Sequence, residues 1–177
     1  MTYRALNNMQ AIDIDSLDTP SSTKEYPLAT TLHVNDTAKG GESVFIYVKA
    51  HAGLSKGQPI QLVEGSGGDA ELVTLGIATL LPAAAGQGIQ LGFPTTAVTS
   101  GYYFWAQISG VITAAAGTVA GGDYVEVING GTTVVADGTS GSTARTAQSI
   151  GIAKTATSGG EADIVVMPGR RVLIAST

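Results

Sequence analysis

Apolar and polar residues alternate along several short stretches of this chain. From Ser43 the sequence SVFIYVKA directs Val44 and Phe45 to opposite sides and continues in the same way. A period of two residues is typical of a β-strand whose faces have different surroundings. Similar short runs predict further strands at residues 60–64, 72–78, 89–93, 102–108, 124–128, 132–136, 150–154, 163–167 and 171–174.

Turn and helix signals support the same fold class. Asn129 and Gly130 separate the alternating runs DYVEVI and TTVVA, and both residues tolerate the positive φ of a tight hairpin turn. Helical patterns are weak, because residues 80–85 contain Pro82 and residues 111–120 lack a wide apolar stripe. The sequence therefore predicts an all-β protein with a hairpin at residues 129–130.

An imperfect internal repeat relates two parts of the chain. In the first copy the order is GQPIQL, GIAT, IQL and Pro94, and in the second it is GDYVEV, GIAK, IVV and Pro168. The same order in both copies predicts a duplicated strand-turn-strand unit over approximately residues 57–94 and 122–168. Chance similarity in a chain rich in Gly, Ala and Val is the alternative explanation.

The first 30 residues differ in composition from the rest, since acidic residues lie there among proline and serine. We interpret residues 1–30 as an extended N-terminal arm and residues 31–177 as a single β domain. The arm is either a frayed terminus or a segment that orders on a neighbouring subunit. In the second case Ile12, Ile14 and Leu17 are its apolar anchors.

Charge and cysteine content exclude several classes of protein. Charged residues make up 13% of the chain, against about 25% in typical soluble domains, and the formal net charge is −5. Such a chain offers no positive surface for phosphates, so we expect no nucleic-acid partner. The absence of cysteine excludes disulfides and thiolate chemistry.

The hydropathy of the chain predicts neither a signal peptide nor a membrane-spanning helix. The first ten residues are polar, and no stretch approaches the roughly 18 apolar residues of a membrane-spanning helix. We therefore expect synthesis in the cytoplasm and no membrane partner.

The middle of the chain carries no formal charge, because no Asp, Glu, Lys or Arg occurs between Glu71 and Asp123. About half the side chains of a sheet point away from its core, so uncharged strands predict that the second face is also covered. Contact between identical subunits is the simplest cover. We therefore expect a homo-oligomer.

The densest aromatic cluster is the run Tyr102-Tyr103-Phe104-Trp105. As a central strand it would supply core to both faces of a sheet. Alternatively, Tyr102, Tyr103 and Trp105 lie at a subunit interface, or form a platform that stacks on sugar rings. The residues themselves leave these alternatives open.

Chemistry-bearing motifs are not evident. His33 and His51 are the only histidines, and neither has a companion at the spacing of metal ligands or a catalytic triad. The glycine clusters at 65–68 and 138–141 lack the Lys-Ser/Thr continuation of a phosphate-binding loop. We expect no catalytic residue, no metal site and no cofactor, and therefore no enzyme.

A set of short motifs, mostly turn glycines before strands, spans about residues 44–167. The motifs are VKA at 48–50, LSKGQPIQL at 54–62, GIA at 76–78, GYYFWAQ at 101–107 with Gly110, AGGD before YVEV at 120–127, and IGIA at 150–153. Together they resemble the head decoration, or cement, proteins of tailed bacteriophages.

The resemblance implies a small β-barrel or β-tulip-like subunit on the outer surface of the virion capsid, commonly a homotrimer. It implies the major capsid protein as partner, an N-terminal arm that clamps adjacent capsomers, and stabilisation of the mature head by bridging them. An alternative stays open, in which the chain is a phage tail or fibre module that binds a receptor or glycan through Tyr102, Tyr103 and Trp105.

Overall fold

The computed structural model is built from β-strands and describes residues 3–5, 14–64, 72–76, 88–127, 132–137, 149–166 and 172–173. These residues contain one short 3-10 helix, at Ile14–Asp18. The strands are β1 (Tyr3–Ala5), β2 (Thr31–Asp36), β3 (Gly41–Ala50), β4 (Ile60–Glu64), β5 (Leu72–Gly76), β6 (Gly88–Pro94), β7 (Tyr103–Ala115), β8 (Tyr124–Val127), β9 (Val134–Ala136), β10 (Gly151–Ala153), β11 (Glu161–Val166) and β12 (Val172–Leu173). The predicted all-β class is confirmed.

Strands β3 and β7 are the longest and pair with each other over Val44–Lys49 and Tyr103–Ser109. β7 continues to Ala115, through residues whose sequence shows no wide apolar stripe. Buried Ile112 and Ala114 alternate there with partly exposed neighbours, so the strand period continues. The prediction of a strand at 102–108 was therefore correct in type and too short.

Strands β3 to β7 form a first unit of five strands. In hydrogen-bonding order they are β3, β5, β4, β6 and β7, and β7 pairs back with β3. The pair β3–β5 is parallel and the other four pairs are antiparallel.

Strands β7 to β11 repeat this arrangement in a second unit. Their order is β7, β11, β10, β8 and β9, and a parallel bridge from Ala116 to Val134 links β9 back to β7. In each unit the first strand is antiparallel to the last and parallel to the third, while the second pairs with the third and the fourth. Strand β7 is shared, as the last strand of one unit and the first of the other.

The sheet as a whole is not closed. Its path begins at β1, which pairs with β2, passes through both units and ends at β9, with β12 paired to β6. Closure is local to each unit. In the first unit β3 pairs with both β5 and β7, and in the second β7 pairs with β11 and is linked to β9 by the Ala116–Val134 bridge.

Corresponding turns precede the second strand of each unit. Gly57 N–H donates to the Pro94 carbonyl at 2.8 Å, and Gly122 N–H donates to the Ala153 carbonyl at 2.8 Å. Both glycines have positive φ, 68° for Gly57 and 93° for Gly122. The same hydrogen bonds at the same turn show that the units correspond residue by residue.

Each unit encloses its own core, built from equivalent positions. In the first core these are Ile46, Val48, Ala50, Leu54, Ile60, Leu62, Phe104 and Ala106. In the second core, in the same order, they are Ile112, Ala114, Ala116, Val119, Val125, Val127, Ala162 and Ile164. A large and a small residue exchange places at the last two positions.

The repeat seen in the sequence matches this duplication only in part. Its first motif is in register, because Ile60 and Val125 occupy equivalent places. The sequence match of Gly76 with Gly151 is not, since Ile60 pairs with Gly92 where Val125 pairs with Gly151. Gly92 is therefore the structural counterpart of Gly151, while Gly76 lies in β5, a strand with a different role.

Strands lie on both sides of the predicted hairpin at Asn129-Gly130, as expected. β8 and β9 are antiparallel, with Val127 opposite Val134. The turn residues themselves lie outside the described residues.

Residues 17–30, here called the strap, run back over the outer face of β3 and β7. Ser21 and Tyr103 exchange backbone hydrogen bonds of 2.9 and 2.8 Å, and Ala29 N–H donates to the Tyr47 carbonyl at 2.9 Å. The strap covers a third apolar cluster, made of Leu17, Leu32, Val34, Phe45, Tyr47 and Trp105 with Tyr26, Leu28 and Tyr103 packed against it. The role of residues 1–30 as an intersubunit arm stays a prediction.

Candidate interaction surfaces

The residues predicted at an interface occupy different environments. Leu17 and Trp105 are buried under the strap, with 2% and 1% of their surface exposed. Tyr102 and Tyr103 are half-buried. Ile12 lies outside the described residues, and only the backbone of Ile14 is described. Their interface role stays a prediction, although the structure joins two of them, Leu17 and Trp105, within one chain.

The aromatic run of β7 supplies both faces of the sheet, as the central-strand interpretation predicts. Phe104 faces the first core, and Trp105 faces the strap cluster. The Trp105 ring lies 5.4 Å from Tyr26 and 5.1 Å from Tyr47, measured between ring centroids. Because Trp105 is enclosed, it has no ring face to offer a sugar. Tyr103 has a more open position, with the Lys49 ammonium 5.4 Å from its ring centroid.

Tyr47 connects the strap to the sheet through its hydroxyl. The backbone N–H of Glu25 donates to the Tyr47 hydroxyl oxygen at 3.1 Å. Burial raises the pKa of Tyr47 above its usual value of 10.0, because the charged phenolate is poorly solvated there. The neutral phenol is therefore favoured in the folded state.

Stability should fall above pH 10 in a way that depends on Tyr47. A raised folded-state pKa stabilises the fold below the unfolded pKa near 10, and this contribution is lost as pH rises toward the folded value. We expect Tyr47→Phe to show a shallower loss of unfolding free energy between pH 9 and pH 11, measured by urea denaturation. Parallel pH profiles for the two proteins would contradict the assignment.

A row of apolar side chains crosses the outer face of the second unit. Val111 pairs with Val165, Val165 with Ile152, and Ile152 with Tyr124, so the four side chains share one face. We call these four residues the outer row. Tyr124 is 57% and Val165 is 42% exposed, and they are the exposed large hydrophobic residues among those described. Val111 and Ile152 are half-buried.

The sequence contains little that would reveal the outer row. Its members come from four strands, and their neighbourhood depends on the pairing register rather than on local spacing.

The equivalent row of the first unit is fully covered. Its members are Phe45, Gln107, Phe93 and Pro59, by the register of β3, β7 and β6 and the position before Ile60. All four are buried. Phe93 packs into the core cluster of the second unit, and Phe45 packs under the strap.

Charges lie on both sides of the outer row. On one side Lys39 and Asp163 form an ion pair at 3.4 Å, and exposed Lys154 donates to the Lys39 carbonyl at 3.1 Å. At the other end Asp123 and exposed Asp137 line an open hollow beside Tyr124.

The uncharged middle of the chain is largely hidden by the chain itself where the structure describes it. Both faces of β7 are buried within the chain around Trp105, because Phe104 and Ala106 lie in the first core and Trp105 lies under the strap. The homo-oligomer stays a prediction. The exposed residues of the stretch lie mostly in turns and are small or neutral: Gln90, Ala97, Thr99, Ser100, Gly101, Thr118, Ala120, Gly121 and Gly122.

The histidines have ordinary surface positions. His33 Nδ1 lies 2.5 Å from Glu42 Oε1 at the surface, and His51 is exposed in a turn. Across the described ranges, no three His, Asp or Glu side chains gather as ligands for a metal ion. The same part of the chain contains no helix with the length and hydrophobicity needed to cross a bilayer.

Comparison with known proteins yields one distant structural likeness. No protein-family model and no curated protein matches the chain. A solved structure described as the head fiber gp8.5 N base in bacteriophage phi29 is similar, with 14% sequence identity and a TM-score of 0.49. The match covers 72% of this chain and 97% of that chain. Likeness at this level does not establish a shared function.

Proposed function

We propose that this chain is a structural protein of the tailed-bacteriophage head, a decoration or cement protein. In this proposal it binds the outer surface of the mature capsid and stabilises it by bridging capsomers. The major capsid protein is its partner, it acts as a homo-oligomer with three copies expected, and it carries out no catalysis.

The observation that carries the proposal is the neutral character of the exposed turns in the uncharged stretch. Gly, Ala, Ser and Thr lose little side-chain entropy when a surface is covered, and no ion must be desolvated. Thr99 to Gly101 and Thr118 to Gly122 are such turns, one in each unit. A chain with two neutral contact regions is suited to bridging two capsid subunits.

The motifs that resemble decoration proteins coincide with the duplicated turns. LSKGQP contains Gly57 and AGGDY contains Gly122, the two glycines with the same backbone hydrogen bond. The resemblance therefore falls on positions that the fold uses twice, which supports interpreting it as structural rather than as chance similarity of short motifs.

Bridging explains how such a protein acts without chemistry. A filled head is under outward pressure, and a protein that binds only the assembled shell stabilises it by mass action. Several contacts per oligomer make release depend on losing them together. Interfaces of about 1,600 Å² each would suffice for specific attachment.

Binding to heads tests the proposal directly. The purified chain is mixed with mature undecorated heads of the phage that encodes it, and bound protein is measured by co-sedimentation. We expect saturable binding, with unexpanded shells as the matched control that binds less. Absence of saturable binding to mature heads would overturn the proposal.

A glycan-binding tail or fibre module is a second candidate, supported by the half-buried Tyr103, whose ring centroid lies 5.4 Å from the Lys49 ammonium. A glycan array with wild-type protein and Tyr103→Ala separates the two functions. A cement protein should show no sugar dependence, whereas selective binding lost in Tyr103→Ala would favour the second candidate. Trp105 is unsuitable for this test because it is buried.

A further inference from the structure

We propose that the outer row, Val111, Val165, Ile152 and Tyr124, is the surface on which a second copy of this chain packs. This inference rests on the self-association included in the proposed function, and on no property of the capsid.

Exposure of the row is the first argument. Scattered exposed apolar residues are normal on a protein surface, whereas contiguous ones indicate a contact. Tyr124 and Val165 both flank Ile152 in the pairing register, so the exposed side chains form one strip across β7, β11, β10 and β8. Tyrosine is also a residue type that contributes strongly to interfaces.

The duplication is the second argument, and it identifies the partner. The counterpart row in the first unit is buried, and Phe93 in that row packs against the second unit of the same chain. This face of the first unit is therefore covered by other parts of the same chain, by the second unit at Phe93 and by the strap at Phe45. The second unit has no following unit in the part of the chain that the structure describes, so a copy of the chain is the partner with a matching surface.

Charge is the third argument. Lys154 follows Ile152 by two residues and so lies on the same side of β10. Asp137 lies beside Tyr124, to whose carbonyl its N–H donates at 2.7 Å. A second copy packed across the row can place its Lys154 against Asp137, which gives the contact a preferred orientation.

Sedimentation velocity over a range of concentrations tests the inference with the full chain. We expect wild type to associate and Val165→Glu to raise the dissociation constant at least tenfold. Ser22→Glu adds the same charge at an exposed strap position and should leave association unchanged. Because Val165 is already partly exposed, Val165→Glu should fold, and circular dichroism checks this.

A charge exchange provides a second, independent readout. Lys154→Asp and Asp137→Lys should each weaken association, and the double variant should restore it. Wild type that remains monomeric throughout, or association unchanged in Val165→Glu, would overturn the inference. If Val165→Glu associates normally and still binds heads, only this inference fails. If the variants dissociate as expected but wild type binds no heads, the proposed function is wrong and this inference stands.

Discussion

Gly57→Ala is expected to destabilise the protein by about 3–5 kcal/mol, one of the two largest effects we predict. Gly57 has a φ of 68°, which an L side chain rarely adopts. A Cβ there would lie 2.6 Å from Ala115 N and 2.8 Å from Thr113 O. Both are backbone atoms of β7, which cannot move without disturbing the strand that the two units share.

The duplication supplies a matched control in Gly122→Ala. Gly122 occupies the equivalent turn with a φ of 93°, but a Cβ there would meet nothing within 4 Å. Only backbone strain remains, so we expect a loss of about 1–2 kcal/mol. Urea denaturation of the three proteins measures both values. Equal losses of unfolding free energy in the two variants would contradict the close approach of Gly57 to the backbone of β7.

Trp105→Ala is expected to cost about 3–5 kcal/mol, the usual range for removing a buried large aromatic side chain. Trp105 contacts Tyr26 of the strap and Tyr47 of β3 within the strap cluster. The cavity would weaken the attachment of the strap as well as the sheet. We therefore expect faster amide hydrogen exchange at Ser21 and Ala29, in addition to the lower unfolding free energy.

Trp105→Phe is the control for this prediction. The Trp105 Nε1–H has no acceptor among the described residues, and a buried donor without a partner costs about 1–3 kcal/mol. Phenylalanine removes that donor while keeping most of the apolar contact, so its loss should be well below that of alanine. A loss under 1 kcal/mol for Trp105→Ala would contradict the placement of Trp105 in the core.

Local sequence patterns predicted the strands well, because burial in a sheet imposes a period of two on nearby residues. β3, β4 and β6 and the hairpin strands β8 and β9 were located in this way. β2 was not, since its residues TLHVND lie directly after the predicted arm and only two of them, Leu32 and Val34, are apolar. The end of β7 was missed because its last core position, after Ile112, is occupied by the small residue Ala114.

Long-range pairing could not be predicted from the same patterns. The repeat located the turn before the second strand of each unit correctly. It treated Gly76 and Gly151 as equivalent positions, however, because similarity between motifs does not show which strands pair. The absence of charge from 72–122 predicts covered strand faces, and around Trp105 the faces of β7 are covered within the chain, by the first core and by the strap. The four residues of the outer row come from four strands, and only the pairing register shows that they are neighbours.

Resistance of heads to rupture tests the central claim, that this chain stabilises a capsid by bridging its subunits. Undecorated mature heads are saturated with wild-type protein and then heated, or diluted rapidly from high salt, while genome release is followed by a DNA-binding dye. We expect a higher rupture temperature and less release after dilution, rising with occupancy up to saturation. Full occupancy with no gain in either measurement would contradict the claim.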